Sequence, residues 1–178
     1  RPSHSSLYSL YPKCSETVKH ISPYAEEFCV FAKAPTVSVS TNTGTVTATA
    51  YAVDERCFAL SNERTLVYGR LLFDFDIEKG ENVALIDETT AFALFSGGAG
   101  LGRIINLDNK PYRIVGIVRN HNASKDETDH AIYIPITSIE QCSHLFRTFE
   151  CYILPQEGEV CNVVVQKLIE RWKAEEVI

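Results

Sequence analysis

The segment over 36–53 limits the possible folds more than any other part of the sequence, because its pattern is that of a β-hairpin. Thr and Ser alternate with Val and Ala on both sides of the turn Thr41-Asn42-Thr43-Gly44. An alternation with period two puts every second side chain on one face of a strand, and β-branched residues favour extended backbone. Asn and Gly supply the backbone freedom that a tight turn between strands requires. The chain is therefore expected to contain an antiparallel sheet.

Helical periodicity appears in several other segments. Apolar residues at three- and four-residue steps predict a helix over 15–28, with Ser15 as its N-cap and an end or kink near Ser22, because Pro23 interrupts the pattern. A second helix is predicted over 87–95, with acidic residues in its first turn, and an amphipathic helix over 159–172. A further helix is expected to begin at Thr137, with Ile139 and Cys142 facing the core and Ser138 and Gln141 facing solvent.

Extended segments complete the prediction. They are a strand over 83–86, a second hairpin over 103–118, a strand over 131–134 and a last strand over 150–154. An irregular connection is expected over 54–75 and a polar loop over 121–129. The sequence thus predicts an α+β domain with mixed sheets.

Charge argues against a nucleic-acid binder, and hydropathy argues against a membrane-spanning segment in this sequence. The formal net charge is -6, and the Lys and Arg residues are scattered rather than clustered. Nucleic-acid binders depend on clustered basic residues, so no nucleic-acid partner is expected. No apolar stretch approaches the roughly 20 residues that cross a bilayer. The chain starts at Arg1 without an initiator Met or a signal-peptide pattern, and we expect a fragment or a mature form of a longer protein.

The six cysteines are many for a chain of this length, and the sequence leaves two interpretations open. None lies in a CxxC pair, so the spacing typical of zinc sites is absent. An even number permits disulfides in an exported chain, because disulfides persist in oxidising compartments. The alternative is that several are small buried apolar residues. The positions are Cys14, Cys29, Cys57, Cys142, Cys151 and Cys161.

Candidate chemical motifs each have a simpler explanation. The glycine-rich stretch over 96–102 follows a predicted helix and precedes a strand, whereas a phosphate-binding loop follows a strand and opens a helix. His121 and His130 flank an acidic loop, but nothing in the sequence fixes their geometry for a metal. The pair Asp87 and Glu88 is explained by helix capping.

No nucleophile elbow of the Gly-x-Ser-x-Gly type is present either. We therefore expect no catalytic, cofactor-binding or metal-binding residues, no cofactor, and no enzymatic activity.

A series of short motifs over 69–137 resembles a known family. Gly69-Arg70 precedes Asn82-Val83-Ala84-Leu85-Ile86 and Ala93-Leu94-Phe95-Ser96-Gly97-Gly98, followed by Leu101-Gly102-Arg103, Tyr112-Arg113-Ile114-Val115-Gly116-Ile117-Val118 and Ile132-Tyr133-Ile134-Pro135. In this order the motifs resemble the periplasmic core domain of MacB-like ABC-transporter permeases, the macrolide-exporter and lipoprotein-release group. Ser96 and Gly100 depart from the family pattern, where Gly and Pro are usual. The signature positions are Gly69, Arg70, Phe95, Gly97, Gly98, Leu101, Gly102, Gly116 and Pro135.

These signature positions are interpreted as structural, since most are glycines at expected turns or close backbone contacts. The resemblance implies a porter-like α/β subdomain built from 1–53 and 111–178, with a smaller subdomain inserted over 54–110. It also implies a place between the first two membrane helices of a permease, on the extracytoplasmic face of the membrane. Both chain ends would then lie on one side of the fold.

The function implied by the resemblance is mechanical. ATP hydrolysis would take place on a separate cytoplasmic subunit or domain, and movement of the membrane helices would change how paired domains handle a cargo or a partner protein. The expected partners are the rest of the permease and its ATPase, in a homodimer or heterodimer.

Two other functions stay open. One is an extracytoplasmic sensor or binding module for peptides or antibiotics, which would bind its ligand saturably. The other is a thiol hydrolase, which would need a cysteine of depressed pKa.

Overall fold

Strands and short helices follow one another along the whole described chain. The computed structural model describes residues 23–60, 64–96, 100–121, 130–146 and 148–174. Helices and strands in these ranges confirm the predicted mixed-sheet fold. The elements are β1 (Ala25–Ser40), β2 (Thr45–Val53), α1 (Cys57–Leu60), β3 (Arg64–Gly69), α2 (Asp74–Lys79), β4 (Val83–Asp87), α3 (Glu88–Leu94), β5 (Ile104–Leu107), β6 (Lys110–Asn120), β7 (His130–Pro135), a 3₁₀ helix (Ile136–Leu145), β8 (Thr148–Pro155) and α4 (Cys161–Ala174).

All eight strands belong to one mixed sheet, in the order β2-β7-β4-β6-β5-β1-β8, with β3 paired to β6. The pairs β2–β7 and β4–β6 are parallel, and the other pairs are antiparallel. Strand β1 also pairs with β2, so the pairings close into a circuit through six of the strands. The long β1 makes this possible, because different parts of it pair with β2, β5 and β8.

The predicted first hairpin is confirmed. Strands β1 and β2 pair from Ser40 and Thr45 at the turn to Phe31 and Val53 at the far end. The Thr41 backbone N–H donates to the Gly44 carbonyl over 2.8 Å. The Thr41 hydroxyl oxygen accepts from the backbone N–H of Gly44 over 3.2 Å, so a side chain closes the turn as well.

The predicted strand and helix over 83–95 and the second hairpin are also confirmed. Asp87 ends β4 and caps α3, with its carboxylate accepting from the Thr90 backbone N–H over 3.1 Å. Strands β5 and β6 form the hairpin through Asp108 and Asn109, whose φ angles are 49° and 64°. Asp and Asn tolerate this left-handed backbone better than other non-glycine residues, which suits a two-residue turn.

Two predictions near the start of the chain were wrong. Residues 25–28 begin β1 and pair with β8, whereas a helix was predicted over 15–28; residues 15–22 lie outside the described part. The spacing of Ala25 and Phe28 satisfies a helical pattern, but long-range hydrogen bonds to β8 decide the conformation. The connection over 54–75 is more regular than predicted, since it contains α1 and β3.

The segment after β7 differs from its prediction at one side chain. Ile139 is buried as expected, but Ser138 is also buried, with only 2% of its surface exposed. Its hydroxyl donates to the Pro135 carbonyl over 2.8 Å and lies 3.3 Å from the Tyr112 hydroxyl. The segment is a 3₁₀ helix with three residues per turn, which changes the faces that an α-helical spacing assigns.

The predicted C-terminal helix is confirmed as α4, and it packs on the β1–β8 edge. Val164 and Leu168 are buried with Ala25, and Phe28, Ile153 and Trp172 pack around them. The remaining buried apolar residues form one larger core on the other strands. None of the helices in the described ranges has the length and apolarity that a membrane crossing requires.

Candidate functional site

An aromatic cleft of about 80 Å³ lies over the strands β8, β1, β2 and β7, beneath α1 and the start of β3. Strand register places its residues in rows. Lys33 of β1 is opposite Tyr51 of β2, which is opposite Tyr133 of β7. Two residues earlier in β1, Phe31 is paired with both Val53 and Glu150. Since side chains alternate between the two faces of a strand, both rows point to the same face.

The walls of the cleft are stacked aromatic rings. The rings of Tyr51 and Tyr133 stack with their centroids 5.2 Å apart, and Phe31 stacks on Tyr152 at 4.9 Å. Phe58, from α1, meets the Tyr133 ring edge-on at 5.2 Å. Offset and edge-on geometries are the favourable ones for aromatic pairs, so the rings support one another without a ligand.

Two cationic groups and one carboxylate give the cleft its polarity. The Arg64 guanidinium lies 5.2 Å from the Tyr133 ring centroid, and its Nε donates to the Tyr133 hydroxyl over 2.6 Å. Burial raises the pKa of Tyr133, so this phenol stays neutral. The Lys33 ammonium lies 5.9 Å from the Tyr51 ring, and Glu150 is exposed at the rim. An aromatic cleft with cations over its rings suits a flat or aromatic group that carries a polar or anionic substituent.

Three potential ligand or nucleophilic groups come together beside the cleft, and one of them, Cys57, also lines it. Cys29, Asp54 and Cys57 place two sulfurs and a carboxylate oxygen within 4.8 Å of one another. The Cys57 thiol has a raised pKa because of its hydrogen bond with Cys29, its burial and the Asp54 charge. A raised pKa is the opposite of what a nucleophilic cysteine requires, so Cys57 lacks the property expected of a thiol hydrolase.

Several signature residues meet at the end of β3. Gly69 pairs with Gly116 of β6. A Cβ at Gly69 would lie 2.2 Å from the Val115 carbonyl oxygen, and one at Gly116 would lie 2.1 Å from the Arg70 carbonyl oxygen. The two glycines therefore allow a backbone approach that a side chain would block.

Arg70 holds the chain that follows β3. Its guanidinium makes two hydrogen bonds to the buried Asp76 carboxylate, of 2.6 and 3.0 Å. The same group lies 4.8 Å from the Phe73 ring centroid and 5.4 Å from the Phe75 ring centroid. Both rings are about half exposed, so Arg70 fixes two aromatic side chains at the surface.

The other signature residues are spread over the fold. Phe95 follows α3 and lies under the Arg103 guanidinium at 5.4 Å, and Leu101 is half exposed. Gly102 has a φ of 79°, and Pro135 ends β7 beside Val53. Gly97 and Gly98 lie outside the described residues.

Neither the cleft nor the cysteine cluster was predicted from the sequence. Their residues come from six elements, and only the tertiary structure brings them together. The one available signal was a single tyrosine in each of the strands predicted over 45–53, 131–134 and 150–154. The two histidines noted in the sequence do not form a described metal group: the His121 ring bonds to the Thr65 hydroxyl over 3.0 Å, and His130 lies near Thr89.

Curated relatives share parts of this sequence. The chain is 28% identical over 82 residues to the macrolide export ATP-binding/permease protein MacB of Aggregatibacter actinomycetemcomitans. It is also 28% identical over 137 residues to the uncharacterised ABC transporter permease YvrN of Bacillus subtilis. These matches cover 46% and 73% of the chain but only 13% and 33% of the relatives. The chain therefore spans a minor part of each relative's length.

Solved structures share the fold. The periplasmic region of MacB from Actinobacillus actinomycetemcomitans superposes with a TM-score of 0.71 at 18% identity, over 89% of this chain and 72% of that one. The extracellular domain of the ABC-type transporter YknZ, from Gram-positive bacteria, gives a TM-score of 0.75 at 12% identity, over 90% and 82%. The model of the MacB-like periplasmic core domain family matches residues 6–170. Because that match covers almost the whole sequence, the chain belongs to the MacB-like periplasmic core domain family.

Proposed function

We propose that this chain works as the extracytoplasmic domain of an ABC-transporter permease and couples ATP-driven movement of membrane helices to the handling of a cargo or partner protein. The observation that carries the proposal is the family match over residues 6–170. Relatives that share this domain are named as permeases or as ATP-binding/permease proteins. The proposed partners are the remainder of the permease and its ATPase subunit or domain, in a dimeric assembly. Segment 54–110 is proposed as an insertion into the part built from 1–53 and 111–178.

The packing of the first and last described elements supports a mechanical role. Ala25 of β1 pairs with Pro155 of β8, and the Gln156 backbone N–H donates to the Tyr24 carbonyl over 3.0 Å. The Lys167 ammonium of α4 lies 3.5 Å from the Tyr24 ring centroid. Forces applied to the chain at its first described residues and along α4 would therefore act on the same small apolar cluster.

The proposed coupling is tested by a distance measurement in the full transporter. A spin label on the exposed Cys161 of each domain reports the separation of the two domains in a dimer. We expect this separation to differ between the nucleotide-free state and a state trapped with ATP. An identical distance distribution in both states would show that the domain does not follow the ATPase cycle.

Loosening α4 tests the route of the coupling. Val164 is fully buried, whereas Val165 on the same helix is 37% exposed. Val164→Ala should weaken the packing of α4 on β1 by about 1–2 kcal/mol and reduce the ATP-dependent distance change, with ATP hydrolysis retained. Val165→Ala is the matched control and should leave the distance change intact. Equal behaviour of the two variants would rule out this route.

Location is tested with the same cysteine. A membrane-impermeant maleimide added to intact cells should label Cys161, because this side chain is exposed. The control Cys161→Ser should lose that label. Labelling that appears only after the membrane is opened would place the domain on the cytoplasmic side.

The cleft favours a second function, an extracytoplasmic binding module for peptides or antibiotics. Titration of the protein with a dye-labelled peptide antibiotic should then saturate. Removal of one stacked ring by Tyr51→Ala should weaken binding by roughly 3- to 10-fold, the value of one aromatic pair. Tyr68→Ala removes a tyrosine that is 60% exposed on β3, outside the cleft lining, and should have no effect. Linear, unsaturable binding would exclude this function for the peptide used.

A further inference from the structure

The cysteine cluster lies beside the aromatic cleft and is held by β1, α1 and the turn between β2 and α1. Cys29 lies in β1 and is fully buried, and Cys57 begins α1 with 9% of its surface exposed. The two sulfurs and an Asp54 oxygen lie within 4.8 Å of one another. The Cys57 thiol is also 3.7 Å from the Val30 carbonyl oxygen, so the start of α1 rests on the backbone of β1 beside Cys29.

Asp54 is held in place by Arg56, and its carboxylate also accepts from the Cys57 thiol over 3.4 Å. Its carboxylate accepts from the Arg56 backbone N–H over 3.1 Å and from the Arg56 side chain over 2.7 and 3.2 Å. These contacts fix the turn that leads from β2 into α1. Structural zinc sites use four ligands, whereas the group found in the described part of the chain has three, one of them occupied by an arginine. The arrangement therefore suits a disulfide better than a metal ion.

We propose that Cys29 and Cys57 form a disulfide bond. One S–S bond forms between the two Sγ atoms and both thiol protons leave. The electron pair passes to a disulfide oxidant, such as an oxidised dithiol protein or glutathione disulfide, which is reduced to two thiols. This proposal depends on the proposed function in one respect, since an extracytoplasmic compartment supplies the oxidant.

Burial decides when the bond forms. In the folded chain both thiols are shielded, and Cys57 is held in its unreactive protonated form by the neighbouring thiol, by burial and by the Asp54 charge. The exchange reaction requires a thiolate that the oxidant can reach. The disulfide thus forms during folding, before α1 closes over β1, and the finished bond is protected from reductants in solution.

The bond would fix the wall of the cleft. Phe31 follows Cys29 by two residues in β1, and Phe58 directly follows Cys57 in α1. Both rings line the cleft. Without the bond, α1 is a helix of four residues that is held by the turn at Asp54 and by the packing of its apolar side chains on the core. A covalent link between β1 and α1 keeps Phe58 against the Tyr133 ring.

The experiment is peptide mapping of the purified protein after refolding in a glutathione redox buffer. The protein is denatured, alkylated without reduction, digested and analysed by mass spectrometry. We expect a peptide pair linked through Cys29 and Cys57 that disappears on reduction, while Cys161 is alkylated in both samples. Protein that is reduced while unfolded and then refolded without an oxidant should also melt about 5–10 °C lower. The mapping uses the unchanged chain, so it does not depend on the folding of a variant.

Two variants sharpen the assignment. Cys29→Ala should free the Cys57 thiol for alkylation in denaturant without reduction, and Cys161→Ser should keep the linked pair. Alkylation of both Cys29 and Cys57 without reduction, one zinc ion bound per chain, or a bond from either residue to another cysteine would each overturn the proposal. A bond that forms in the redox buffer but is absent from protein isolated from its cell supports the pairing and contradicts the extracytoplasmic location instead.

Discussion

Among the described glycines, Gly69 and Gly116 leave the least room for a side chain. They face each other across β3 and β6, and each lies against a backbone carbonyl oxygen of the neighbouring segment. A carbonyl oxygen held in a sheet cannot rotate away as a long side chain can. Any Cβ at these positions must therefore displace a strand.

Gly116→Ala should destabilise the protein by about 3 kcal/mol or more, because its Cβ would overlap the Arg70 carbonyl oxygen. Urea unfolding gives the free energy of unfolding of each variant. Gly44→Ala is the control, since a Cβ at Gly44 has no atom within 4 Å and its φ is not positive. A similar small loss in both variants would mean that β3 adjusts freely.

Arg70 is the other residue on which local structure depends. Arg70→Met should cost about 3–5 kcal/mol, because it leaves the buried Asp76 carboxylate without its charged partner. Thermal unfolding at neutral pH measures the loss. Arg119 makes the same two-bond contact with Glu88, but that pair is exposed to solvent. Arg119→Met should leave the melting temperature almost unchanged, since water screens the exposed pair.

At the scale of elements, the junction between β4 and α3 shows how one side chain joins two kinds of structure. The Asp87 carboxylate caps α3 through the Thr90 backbone N–H, and it also accepts from the Ala131 backbone N–H of β7 over 3.2 Å. The acidic start of this helix was predicted from the sequence. The link to β7 was not, because it depends on the pairing of β4 with β7.

Asp87→Ala should therefore cost about 1–2 kcal/mol, the sum of a lost helix cap and a lost hydrogen bond from the Ala131 N–H, which keeps the Thr90 hydroxyl as its second acceptor. The free energy of unfolding in urea measures it. Asp74 also lies in the first turn of a helix, α2, but is exposed. Asp74→Ala is expected to change stability by less than about 0.5 kcal/mol. If the two variants lose the same stability, the contact with β7 contributes nothing.

At the scale of the whole molecule, one sheet connects both parts of the proposed domain division. Strands β3, β4 and β5 come from segment 54–110, and they pair with β6, β7 and β1 from the flanking parts. An insertion joined in this way shares its backbone hydrogen bonds with its surroundings. Segment 54–110 is therefore expected to unfold together with the rest of the sheet.

We expect a single cooperative unfolding transition. Trp172 is the sole tryptophan and reports on the α4 cluster, while far-ultraviolet circular dichroism reports on all strands and helices. The two signals should change at the same urea concentration. A circular dichroism transition that precedes the fluorescence change would show that part of the sheet, such as segment 54–110, unfolds independently.

The local elements follow from the sequence where neighbouring residues decide the conformation. The alternation over 36–53 and the turn at Asn42 and Gly44 determined the first hairpin, and the acid at Asp87 determined the start of α3. The motifs over 69–137 also led to the family, since their order is a property of the sequence. Turn geometry, capping and strand alternation act over a few residues, so a sequence displays them directly.

Long-range pairing decided the rest. Residues 25–28 have helical spacing but are strand because β8 supplies their hydrogen bonds, and Ser138 is buried because the 3₁₀ helix turns it toward Tyr112. The aromatic cleft and the Cys29–Cys57 approach arise from strands distant in sequence. Their distances depend on sheet register, and register is set by the sum of many contacts between distant segments rather than by any local signal. The sequence by itself therefore determined most local elements and the family. Only the tertiary structure brought together the residues of the aromatic cleft and the two cysteines of the proposed disulfide.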